Sequence, residues 1–236
     1  MNVKNLTKSY GENIVLKNID LNIPCGKIVS FLGKNGAGKS TTIKIIIGLL
    51  TCDTGVVTIN GFNIKENSVE YKTSFGYVPD DYNIFPNLTG FEYLNFLADM
   101  YKINNLDRTK RIRYLSKILD MEKYLNSRIG SYSKGMKQKI MIIGALMHNP
   151  KVLILDEPFN GLDPESIYVV KSLFHDIVKD NRTIFFSTHI LDMAENLSDI
   201  VIILDEGKIV FNSEINTIKL SNKSLEDVFL EKTKKY

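Results

Sequence analysis

Long apolar runs are missing from this 236-residue sequence. The longest, such as Ile140 to Met147, extends about eight residues, where a membrane-crossing helix needs roughly 18. The opening M-N-V-K-N-L-T-K-S-Y lacks the apolar core of a secretory signal and reads as a strand. Cysteine is scarce too. Cys25 and Cys52 are the only two, and their spacing suits neither metal nor redox chemistry, so both read as small apolar packing residues. A net charge of +3 is too small to argue for nucleic acid as a partner. These absences predict a chain that works in the cytoplasm.

What charge there is has a pattern. From Met100 to Lys139 there are eleven Lys/Arg against three Asp/Glu, about eight charges positive by subtraction, which leaves the remainder net acidic. Such a stretch suits either a solvated helical face or a surface for anionic headgroups or an acidic partner.

Short apolar runs rich in β-formers alternate with helical patterns, which predicts an α/β fold around a buried, largely parallel sheet. The strands expected are 27–32, 56–60, 74–78, 152–155, 183–187 and 200–204. The block from about 81 to 147 breaks this rhythm and reads as a helical lobe inserted into a core of about 1–80 and 148–236. Its first helix has a start signal, since Thr89 stands three residues before Glu92, a capping box. Tyr93, Phe96, Leu97 and Met100 then follow at the spacing of one apolar helix face.

The stretch F-L-G-K-N-G-A-G-K-S-T, Phe31 to Thr41, runs from an apolar strand into an amphipathic helix. Gly33, Gly36 and Gly38 let the backbone curl so that its N–H groups, with those of Lys34, Asn35 and Ala37, face phosphate oxygens at a helix N-terminus. Lys39 can reach β- and γ-phosphates, and the hydroxyl of Ser40, next to Thr41, can ligate Mg²⁺. Farther on, K-V-L-I-L-D-E-P is a buried strand ending in two carboxylates. Strand alternation gives Asp156 and Glu157 different directions and so different jobs. Asp156 suits the Mg²⁺ shell, and Glu157 suits polarising an attacking water. Asp163 before Pro164 makes an N-cap and first-turn pair.

A phosphate loop with an acidic strand also describes kinases and GTPases, but a guanine-reading N-K-x-D is absent. The stretch Y-S-K-G-M-K-Q-K at 132–139 resembles the signature loop of ATP-binding cassette (ABC) ATPases, and the resemblance covers nearly the whole chain. It implies a P-loop (RecA-like) core with an antiparallel β portion and an inserted helical subdomain. It also implies ATP and Mg²⁺ as ligands. Tyr10 falls where the family stacks an aromatic on adenine, Asn160 to Asp163 looks like the D-loop, and S-T-H puts His189 at the switch histidine, where the resemblance implies contact with the γ-phosphate. His148 and His175 read instead as a helix-end and a helix-surface residue.

In this family two cassettes pair head to tail, so that Ser133 and Gly135 of one would close on the ATP of the other. Lys134 and Met136 replace the usual Gly and Gln, and the family's Q-loop glutamine falls at Asp80, a third candidate toward the metal. The resemblance thus implies the ATP-hydrolysing subunit of an ABC transporter, a dimer on the inner membrane face beneath a separate permease. The segments L-T-G-F-E-Y-L, Y-S-K-G-M-K-Q-K and S-L-E-D-V-F-L look like those of bacterial drug, antibiotic-peptide and lantibiotic-immunity export cassettes. The competing reading is a regulatory or mechanical ABC ATPase bound to a non-transporting membrane protein.

Overall fold

A computed structural model of the chain describes residues 1–82 and 84–233. Two sheets are stacked. The smaller is antiparallel, in order β2-β1-β4-β5, from β1 (Asn2–Tyr10), β2 (Asn13–Asn22), β4 (Thr54–Ile59) and β5 (Phe62–Asn63). The larger combines β3 (Ile28–Leu32), β6 (Phe75–Val78), β7 (Val152–Asp156), β8 (Thr183–Thr188), β9 (Ile200–Asp205) and β10 (Lys208–Glu214). Its order is β10-β9-β3-β8-β7-β6, parallel except where β10 returns beside β9. The strand expected at 56–60 therefore belongs to the antiparallel sheet.

Strands β3, β7 and β8 are buried along their entire length, as a sheet covered on both faces requires. Their alternation sorts two cores. Val29, Phe31, Ile154 and Phe185 pack toward the antiparallel sheet and helix α1 (Lys39–Ile46). Ile28, Leu153, Leu155, Ile184 and Phe186 face the opposite way. They join α3 (Gly90–Met100), α4 (Asn105–Ile118), α5 (Lys134–Leu146) and α6 (Pro164–Lys179) in one continuous apolar cluster. The helices between β6 and β7 thus share their interior with the sheet. Each side chain as fully buried as Phe185 or Phe186 contributes about 1.5–3 kcal/mol. The short α2 (Ser68–Thr73) precedes β6, while α7 (Leu191–Leu197), α8 (Ile215–Leu220) and α9 (Leu225–Thr233) pack near β3, β9 and β10.

The capping box forms in both directions. Thr89 Oγ1 accepts from the Glu92 N–H at 3.1 Å, and Glu92 Oε2 accepts from the Thr89 N–H at 2.8 Å. The apolar face of α3 differs from expectation. Tyr93, Leu94 and Ala98 are buried, but Phe96 and Met100 are exposed. Tyr93 lies at the edge of the buried stripe, and spacing alone does not say on which side of it the core lies. Phe96 meets Phe85 instead, ring centroids 5.5 Å apart. Cys25 is also corrected: its position after β2 leaves it exposed, whereas Cys52 is half-buried against the core of the antiparallel sheet.

Candidate functional site

The loop from Gly33 to Gly38 joins β3 to α1, the point where a parallel strand hands over to a helix N-terminus. Gly36 and Gly38 hold φ of +82° and +109°, values that side-chain-bearing residues rarely adopt. A Cβ on Gly33 would stand 2.5 Å from the Leu204 carbonyl oxygen, so only glycine fits there. The first turn of α1 has neither a side-chain cap nor an acidic residue, which leaves its N–H groups and dipole for an anion. Lys39 Nζ donates to the carbonyls of Gly33 at 2.6 Å and Lys34 at 3.3 Å. Burial pulls this ammonium below the ordinary lysine range, and the nearby Glu157 and Asp156 carboxylates oppose the shift.

The loop forms one wall of a cleft of about 370 Å³, lined by Val15, Lys34, Asn35, Gly36, Gly38, Lys39, Ser40, Thr41, Asp80, Asp156 and Glu157. Gly33 and Ala37 are buried behind it. Ser40, Asp156 and Asp80 bring only hard oxygen donors to this space, the chemistry Mg²⁺ selects. Among the described residues no cluster of three or more His, Cys, Asp or Glu can hold a metal. The donor set therefore fits a cation that takes its other ligands from phosphate and water, as Mg²⁺ does.

Asp156 and Glu157 line the same cleft, although strand alternation predicts that they diverge. The reason is local: Glu157 sits just past the end of β7 with φ of +49°, a left-handed turn that ends the alternation. Their partners still differ. Asp156 Oδ1 accepts from the Ser187 hydroxyl, while Glu157 Oε1 stands 3.0 Å from His189 Nδ1. The Glu157 N–H is shared between Ser187 O at 3.2 Å and Ser187 Oγ at 3.1 Å. His189, about half exposed just past β8, is not among the residues lining the cleft and meets Glu157 at its edge, rather than facing the phosphate space directly as the resemblance implies. A carboxylate beside a phosphate loop, backed by an imidazole, can accept a proton from water at a bound phosphate.

Asp80, just beyond β6, accepts through Oδ1 from Asn160 Nδ2 at 3.1 Å, and Tyr82 donates its hydroxyl to Asn160 O at 2.6 Å. Sequence reading leaves this clasp out, because its members lie far apart in the chain. Tyr10 is not among the cleft-lining residues. It ends β1, is 52% exposed, and has the Lys8 ammonium 5.5 Å from its ring centroid.

Ser133 and Gly135 also lie off the cleft. Ser133 caps α5, its Oγ accepting from the Met136 N–H at 3.2 Å. A Cβ on Gly135 would come within 2.9 Å of Gly161 O, so this glycine lets the 158–163 loop pack on α5. Buried Gln138 strengthens that packing by donating to Pro158 O at 2.9 Å. Asp163 caps α6 through Oδ1, which accepts the Ser166 N–H at 2.8 Å and holds the carboxyl below its usual range.

The family model described as ABC transporter matches residues 16–160. The chain is 37% identical to the ABC-type transporter ATP-binding protein EcsA of Bacillus subtilis, over 99% of this chain and 96% of that one. It is 36% identical to the bacitracin transport ATP-binding protein BcrA of Enterococcus faecalis, over 94% of this chain and 70% of the relative. Among solved structures, an ATP-binding subunit of an ABC transporter superposes with a TM-score of 0.93 at 34% identity, covering 99% of both chains. A dimeric post-hydrolysis cassette bound to ADP and Pi matches at 0.78 and 28% identity, over 91% of this chain and 98% of that one. The chain belongs to the ABC transporter family, as an ATP-binding subunit that hydrolyses ATP.

Proposed function

We propose that this subunit powers export through a separate membrane permease and works as a head-to-tail dimer on the cytoplasmic face. The observation that carries the reading is the division of the site within one chain. Lys39, Ser40, Asp156 and Glu157 share one cleft, while Ser133 and Gly135 lie outside it at a helix start. A second copy would bring that helix start over the open side of the cleft. ATP would then draw two chains together, and hydrolysis would release them. Among the described residues no helix is long and apolar enough to cross a membrane, which fits a permease on another chain. Export is favoured by similarity to BcrA, whose name describes bacitracin transport.

In this reading Asp156, Ser40 and Asp80 hold Mg²⁺, which neutralises phosphate charge when bound. Glu157 takes the proton of the attacking water, His189 steadies that carboxylate, and Tyr10 offers its exposed ring to adenine. Helices α3, α4 and α5 form the inserted helical subdomain, packed on the larger sheet.

Mixing two inactive variants tests the shared site. Lys39→Ala removes the phosphate-binding ammonium. Ser133→Asp keeps a good helix cap while setting a negative charge against the partner's phosphate. Gly135 suits this test less, because it also carries the contact with Gly161. Mixed chains should regain part of the ATPase activity that each parent lacks. A mixture that pairs but stays inactive would sink the composite site.

A further inference from the structure

Ser187 is a polar residue with no exposed surface, placed in strand β8 directly after the apolar Ile184, Phe185 and Phe186. Such a hydroxyl persists in a core only if its hydrogen bonds are satisfied. Here both sides of it are used. Its single proton goes to Asp156 Oδ1, and its oxygen accepts the Glu157 N–H at 3.1 Å. The carbonyl of the same residue takes a second share of that N–H at 3.2 Å. One residue on β8 therefore holds the side chain of Asp156, which ends neighbouring β7, and the backbone of Glu157 just beyond it.

Both contacts act where the chain has most freedom to misplace these groups. Asp156 ends its strand, and among the described residues Ser187 supplies the hydrogen bond to its carboxylate. Glu157 has φ of +49°, a conformation that persists only where neighbours fix it. With its N–H anchored twice, the Glu157 side chain is turned back into the cleft beside Asp156.

We propose that Ser187 is a positioning residue for ATP hydrolysis, its hydroxyl setting the Asp156 carboxylate and the Glu157 backbone in one geometry. This rests on the reading of Asp156 as a cation ligand and Glu157 as the base. Ser187 touches neither nucleotide nor water, and it acts through those two residues. A ligating carboxylate needs its own hydrogen-bond partner to present the correct oxygen, and losing such a partner typically weakens metal binding by about 10–100-fold.

Ser187→Ala and Ser187→Thr, compared in the full chain, test this. Mn²⁺ binding is read by electron paramagnetic resonance with a non-hydrolysable ATP analogue present, alongside kcat and KM for ATP. Ala should weaken Mn²⁺ binding at least about tenfold and lower kcat, leaving metal-free nucleotide affinity unchanged. Thr, which keeps the hydroxyl, should recover both. Mn²⁺ affinity and kcat that stay at the parent's values in the Ala variant would overturn the proposal. So would an Ala variant that loses metal-free nucleotide binding, or a Thr variant that recovers nothing, since either outcome makes Ser187 a packing residue. Asp156→Asn separates the two levels. If it leaves Mn²⁺ binding intact, the cation reading of Asp156 fails; if it weakens binding and Ser187→Ala does not, only the positioning role fails.

Discussion

The imidazole of His148 lies flat on the ring of Tyr101, centroids 3.8 Å apart and planes 4° from parallel. Its Nε2 is 2.9 Å from Phe75 O, which can only accept, so Nε2 carries the proton, and Nδ1 is buried without a partner. Burial pushes its pKa from 6.5 down to about 4, the Phe75 carbonyl opposing the shift and the Arg111 guanidinium adding to it. The native state therefore favours the neutral ring. Its contribution is complete above pH 6.5 and is lost as pH falls from there through about 4. The loss is on the order of 3 kcal/mol. Denaturant unfolding across that window should show a falling stability limb, and His148→Gln should flatten it. Equal slopes for parent and variant would place the acid sensitivity elsewhere.

Glu157→Gln should keep nucleotide binding and lose about 10² to 10⁴ in turnover. The amide is nearly isosteric, so the phosphate loop is untouched and a closed dimer should accumulate with ATP and Mg²⁺. Gel filtration reads the dimer and phosphate release reads the rate. A variant that turns over normally would remove Glu157 from the base role.

Asp80 has two possible partners, the cation and Asn160. Asn at this position still accepts from Asn160 Nδ2 through its carbonyl but loses the charge, so the two roles separate. Asp80→Asn should relax the Mg²⁺ requirement of the ATPase without abolishing nucleotide binding, because like-charge repulsion against phosphate falls. Superimposable Mg²⁺ titrations would assign Asp80 to the loop clasp alone.

The basic stretch of α4 also yields a test. Lys110, Arg113 and Lys117 are exposed, but Arg111 donates to Met147 O at the end of α5 and is partly buried. Charge reversal should therefore spare Arg111 and take the other three to Glu. Recruitment to anionic membranes carrying the proposed permease should weaken and lose its salt sensitivity, with ATPase activity in solution within about twofold, as surface substitutions usually allow. Recovery on membranes that matches the parent at every salt concentration would return these residues to the role of a solvated face.

Local signals carried well from sequence to structure. The phosphate loop, the strand ending at Asp156 and the caps at Thr89 and Asp163 depend on neighbours within a few residues. The α3 face was ambiguous because Tyr93 borders both the buried and the exposed stripe. Cys25 departs from the apolar packing expected of it because its burial depends on where β2 ends, which composition does not encode. The hydroxyl of Ser187 follows the apolar I-F-F in sequence, but its partners lie 31 and 30 residues away. The Asp80–Asn160 clasp spans 80 residues, and only the strand order brings its ends together.

The left-handed backbone at Glu157 sets stability against activity at a single position. A non-glycine residue held there costs on the order of 1 kcal/mol or more, and glycine would remove that cost along with the carboxylate. Calorimetry and an ATPase assay should therefore rank Glu157→Gly and the parent in opposite orders. Selection for a more stable fold alone would discard the glutamate; its presence at this position records a requirement that the folded state does not itself impose.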